Sequence, residues 1–89
     1  MTIKTRITPD DEFAAAQAVF PMSKAPLDGM PIVARDHLGR IAHIRWSVED
    51  ELGRHERPYW ARWETDVEFH AVAWVPTEWT ITDILEVYG

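Results

Sequence analysis

An α+β domain is the fold class predicted by three features of this 89-residue chain. One capped helical stretch stands near the start. Alternating apolar and polar segments, separated by turn residues, fill the middle. A proline stops the last of them. The expected arrangement is an N-terminal helix packed on a four-stranded antiparallel meander sheet, with a short C-terminal helix or strand. The length corresponds to a single domain over 1–89.

Residues 3–7, Ile-Lys-Thr-Arg-Ile, alternate and predict a short edge strand. The helix signal follows in Thr8-Pro9-Asp10-Asp11-Glu12. Thr8 is a capping residue, Pro9 suits the first helical position, and three acids sit where the helix dipole is positive. Phe13, Ala16 and Phe20 share a face, which extends the expected helix to Phe20. Pro21 ends it, because a residue before proline is pushed out of the helical region. Prolines and Gly29 make residues 21–31 an irregular connection.

A strand is expected at 31–35, a turn at Asp36-His37-Leu38-Gly39, and a return strand at 40–47. In that strand Ala42, Ile44 and Trp46 face one way, and Ile41, His43 and Arg45 the other. Residues 48–57 are polar and read as a long loop or one helical turn. Pro58 opens a third strand through Glu64, and Thr65-Asp66 turns the chain. The fourth strand spans 67–75, with Val67, Phe69, Ala71, Ala73 and Val75 on one face and Pro76 as its stop. In the tail, Thr80 can cap a helix whose Ile81, Ile84, Leu85 and Tyr88 follow helical spacing; a final strand is the alternative. The Phe13/Phe20 face of the first helix is expected to cover the apolar sheet face.

Composition narrows the function classes. There is no cysteine, which removes disulfides, thiolate zinc sites and cysteine nucleophiles. Fifteen acidic residues against nine basic ones give a formal charge of −6. That field repels phosphate backbones, so direct nucleic-acid binding is not expected and a partner protein with a basic surface is. The same charge also serves plain solubility. No apolar run reaches membrane-spanning length, and the first residues lack a secretory apolar stretch, so cytoplasm is the expected location. Five tryptophans supply large areas to bury or to present.

Chemical motifs are sparse. Ser23 and Ser47 lie outside any nucleophile elbow, and the few glycines form no phosphate-cradling loop. His43, His70 and Glu68, on one face of neighbouring strands, would be the only candidate metal set of a small hydrolase; solvated strand histidines are the alternative, and no metal, cofactor or catalytic residue is expected. The more informative feature is aromatic. Trp60, Arg62, Val72 and Trp74 alternate opposite Tyr59, Trp63 and Phe69, so large groups remain on the face the helix leaves bare. Trp60 and Trp74 are therefore candidate contact residues, and Trp46, a further aromatic expected to be exposed, joins them. The acids Glu49, Asp50 and Glu51, with Glu64, Asp66 and Glu68, are candidate steering charges at hairpin ends, or simply solvated tips. A homodimer is the common way such a face is buried.

The order Pro31-Ile-Val-Ala-Arg35, Ile41-Ala-His-Ile-Arg-Trp46, Tyr59-Trp-Ala-Arg-Trp63 and Ala73-Trp-Val-Pro76 resembles small uncharacterised phage and prophage proteins. Their last strand ends in His-Trp-Met-Pro. Trp74 and Pro76 match; Ala73 stands for the His and Val75 for the Met. The resemblance spans roughly residues 30–76 and implies a mobile-element origin, with no activity to carry over. In size, charge and lack of cysteine the chain is also similar to anti-CRISPR proteins, several of which cover basic nucleic-acid channels. That analogy implies an inhibitor of a host protein. The alternative is a structural or dimerising accessory domain.

Overall fold

Thr8 caps the first helix as its position implies: the Asp11 amide donates to Thr8 Oγ1 at 3.2 Å. The computed structural model describes residues 8–48, 58–63, 65 and 67–88; the strand expected at 3–7 lies outside them. Their order is α1 (Pro9–Ala15), β1 (Phe20–Pro21), a 3-10 turn (Met22–Lys24), β2 (Ile32–Asp36), β3 (Ile41–Ser47), β4 (Tyr59–Arg62), β5 (Ala71–Pro76) and α2 (Ile81–Tyr88).

The sheet is antiparallel and five-stranded, in the order β1-β5-β2-β3-β4. The α+β class stands, but the four-strand meander does not. β2, β3 and β4 do meander. β5 lies beside β2, so it is not the next strand after β4. The outer edge of β4 is met only briefly, where Val67 O accepts from the Arg62 amide at 2.9 Å and the Phe69 amide donates to Trp60 O at 2.7 Å. Phe69 then packs with Ala34, Ala42 and Ile44, and the chain passes on to the free side of β2.

A register shift between Arg35 and Asp36 resets the alternation. Ala71 packs with Phe69 on the Ile44 side, whereas Ala73 and Val75 join Phe13 and Val33 on the other. One extra residue in a ladder moves every later side chain to the opposite face. The single apolar face expected for residues 67–75 is split for that reason.

α1 is shorter than its apolar stripe predicts. Ala16 turns extended (φ −67°, ψ 135°), and Phe20-Pro21 pair with Trp74 and Ala73 as the edge strand β1. The Trp74 indole N–H donates to Pro21 O at 3.0 Å, and the Phe20 and Trp74 rings lie 5.2 Å apart. Phe20 is thus spent on the sheet edge, and Phe13, with Ala16 beside it, anchors the apolar side of α1. Its stripe covers the Val33/His43 face, opposite to the Ala42/Ile44 face expected to lie under it. α2 covers the same face through Tyr88, which meets His43 together with Trp79 of the segment before the helix. The Ile32/Ile44 face is closed by Met22 and Ala25 of the irregular segment. Val33, Ile44, Val75 and Ile84 are the largest fully buried side chains. Each contributes about 1.5–3 kcal/mol of burial.

The β2–β3 turn is built on Asp36. Its Oδ1 accepts from the Leu38 and Arg40 amides, both at 2.9 Å, and its Oδ2 from Arg40 Nε at 2.8 Å. Burial alone raises the Asp36 pKa. The hydrogen bonds from the Arg40 side chain and from the Arg40 and Leu38 amides, with the Arg40 charge, outweigh it and hold the carboxyl below the usual aspartate value. Gly39 closes the turn at φ 83°, in the left-handed region.

Candidate functional site

Polar side chains converge at one buried place, beneath both helices. His43 points from β3 toward the helical layer and is almost sealed from solvent, and Glu12 reaches it from α1. The imidazole Nε2 lies 3.4 Å from Glu12 Oε1 and 3.2 Å from Thr77 Oγ1. Its Nδ1 lies 3.2 Å from the Tyr88 hydroxyl. The Thr77 hydroxyl donates to Glu12 Oε1 at 2.7 Å, and the Glu78 amide donates to Glu12 Oε2 at 2.7 Å. The Trp79 amide donates to Thr77 Oγ1 at 3.1 Å.

This set assigns one proton on the ring. Carboxylate oxygens only accept, and the Thr77 proton is already committed to Glu12, so Nε2 is the donor toward both. Nδ1 shares the second hydrogen bond with the Tyr88 hydroxyl. Trp79 flanks the imidazole at 4.4 Å and stacks on the Tyr88 ring at 6.0 Å.

The hydroxyl, imidazole and carboxylate stand in the order of a proton relay. Side-chain exposure is 1% at His43 and 6% at Glu12, and the half-buried members of the network are Tyr88 and Thr77. What the geometry plainly does is join α1, β3, the 77–79 segment and α2 at one point. A partly satisfied buried network is costly, which makes the joint cooperative.

Sequence reasoning placed His43 on an uncovered face with His70 and Glu68. That is corrected: α1 and α2 cover His43, whereas His70 and Glu68 are exposed. No group of three or more His, Asp or Glu among the described residues is arranged to hold a metal ion. Glu12 had been assigned to the helix dipole alone. The missed signal is that Pro9, Glu12, Phe13 and Ala16 form one stripe at i, i+3, i+4, i+7, which puts a carboxylate in the buried face of α1. For Tyr88, the signal is its place one turn after the buried Ile84.

Comparison with protein-family models, with curated proteins and with solved structures finds no match to this chain.

The candidate contact residues divide. Trp46 and Trp60 are cross-strand partners, edge-to-face at 5.1 Å, both half-buried. Trp60 and Trp74 also pack on the Ile44 cluster, so part of each ring serves the core. Glu68 is exposed and bridges to Ala61. Glu49, Asp50, Glu51, Glu64 and Asp66 lie outside the described residues.

Charge and exposed apolar groups coincide elsewhere. The helical layer carries Asp10, Asp11, Glu12, Glu78, Asp83 and Glu86, and neither α1, α2 nor the segment joining β5 to α2 holds a Lys or Arg. No Lys or Arg follows Arg62 anywhere in the chain. On α2, Ile81, Leu85 and Val87 are about half exposed while Ile84 is fully buried. No helix among the described residues is long and apolar enough to cross a membrane.

Proposed function

We propose that this chain is a non-enzymatic binding module that attaches to a partner protein through an acidic surface and covers a basic region of it. The observation that carries this reading is the run of charge: α1 and everything after Arg62 carry acids and no Lys or Arg of their own, with Arg35 of β2 reaching α1 over the Phe13 ring at 5.2 Å. Such a surface draws in a basic protein face and turns away nucleic acid and anionic lipid. The specific form we favour is a mobile-element inhibitor, cytoplasmic in its host, that occupies a host protein's basic groove as anti-CRISPR proteins do. The sealed Glu12–His43 pair supports binding over catalysis, because neither group meets solvent.

The test is capture from host lysate with tagged chain, identification of the retained protein, and reconstitution from purified components. Wild type is compared with Glu78→Lys/Glu86→Lys. Retention of one basic protein, lost in the charge-reversed variant and weakened between about 50 and about 500 mM salt, supports the reading. Equal retention by both variants at both salt concentrations contradicts it.

A further inference from the structure

We infer that α2 is the docking element, and that its occupant is an apolar groove or helix face rimmed by Lys and Arg on a partner protein. The inference rests on the binding reading above and adds the surface and the chemistry of its partner.

α2 is apolar over a wider arc than the fold uses. Ile84 and Tyr88, one turn apart, face inward, Ile84 fully buried and Tyr88 against His43. Ile81 and Leu85, also one turn apart, stay 49% and 56% exposed. Two apolar side chains at i, i+4 on a rigid helix are the anchors used when a helix is laid into a groove. α2 is held firmly for that role. Thr80 caps it reciprocally: the Asp83 amide donates to Thr80 Oγ1 at 3.1 Å and the Thr80 amide to Asp83 Oδ2 at 2.8 Å. Tyr88 ties its last turn to His43 at 3.2 Å.

Charge complementarity selects the occupant. The polar residues of the helix include Asp83 and Glu86, Glu78 stands just before it, and no cation is near in sequence. A second copy docked α2 against α2 would bring these acids against themselves. Membrane-surface helices carry Lys and Arg on the polar face, the reverse of this pattern. A basic rim around an apolar groove matches both parts of the surface.

The probe is a pair of synthetic Leu/Lys peptides of equal composition, one patterned as an amphipathic helix and one scrambled. Each is titrated into uniformly labelled full-length chain while amide shifts are followed. The patterned peptide is expected to shift residues 81–88, and the Ile81→Gln/Leu85→Gln variant to bind it about tenfold more weakly. Gln keeps helix propensity, and circular dichroism confirms the fold. A control pair, Leu27→Gln/Met30→Gln, removes exposed apolar groups elsewhere and is expected to bind like wild type. Binding that maps away from α2, or is equal for the scrambled peptide, or survives the α2 variant, overturns the docking inference and leaves the acidic-surface reading standing. Absence of binding by both peptides at low salt counts against both. A two-chain mass in sedimentation that the α2 variant reduces to one gives the ridge to a second copy and overturns the inference.

Discussion

At the scale of single residues, Glu12 and Asp36 show how this acidic chain uses carboxylates inside as well as outside. Glu12 accepts from the Thr77 hydroxyl and the Glu78 amide at 2.7 Å each. Glu12→Gln turns one acceptor into a donor facing these groups. It is expected to cost about 1–3 kcal/mol in urea unfolding, as buried unmet hydrogen bonds do. An unchanged midpoint would show that the network carries no stability. Asp36 is held below the usual aspartate pKa by the turn around it. A depressed pKa means a contribution fully present above the unfolded value of about 4 and lost as pH falls through the lower folded value. The melting-temperature gap between wild type and Asp36→Asn is therefore expected to be widest near neutrality and to narrow in that acid range. A gap independent of pH would remove the Asp36 charge from the account. The Asp36 turn was legible from the sequence, whereas the buried role of Glu12 was overlooked. An acid in the first turn of a helix has a sufficient local explanation in the dipole, and only its coincidence with the Phe13 stripe marks it as buried.

At the scale of elements, local signals read well and non-local ones did not. Caps at Thr8 and Thr80 and the Asp36–Gly39 turn depend on neighbours a few residues apart, and the structure holds all of them. The end of α1 and the placement of β5 depend on partners far along the chain. Pro21 looks like a helix stop, yet Phe20-Pro21 form a strand, because Trp74 offers its ring to Phe20 and its indole N–H to the Pro21 carbonyl. The β5 alternation is reset by a shift opposite Asp36 that no periodicity reveals. Two substitutions in α2 separate its buried and exposed sides. Ile84→Ala is expected to lose roughly 2–5 kcal/mol in denaturant unfolding. Leu85→Gln is expected to change stability by under about 0.5 kcal/mol. Equal losses would mean that Leu85 belongs to the core and that α2 has no spare face.

At the scale of the whole molecule, fold and charge distribution point the same way. The sheet is closed on one side by the Met22–Ala25 segment and on the other by two acidic helices, and the buried joint at His43 holds those helices in register. The candidate site legible in the sequence was the aromatic strands. The structure uses part of Trp60 and Trp74 for the core and leaves Ile81, Leu85 and Val87 of α2 about half exposed. Surplus negative charge was legible from composition; that the acidic segments α1 and 77–88 meet on one side of the sheet required the topology. The most direct measurement is the association rate of the purified chain with its reconstituted partner across ionic strength. Steering by an acidic layer predicts a rate that falls steeply as salt rises, with the dissociation rate changing little. An association rate that stays flat across the salt series would contradict an account built on surface potential.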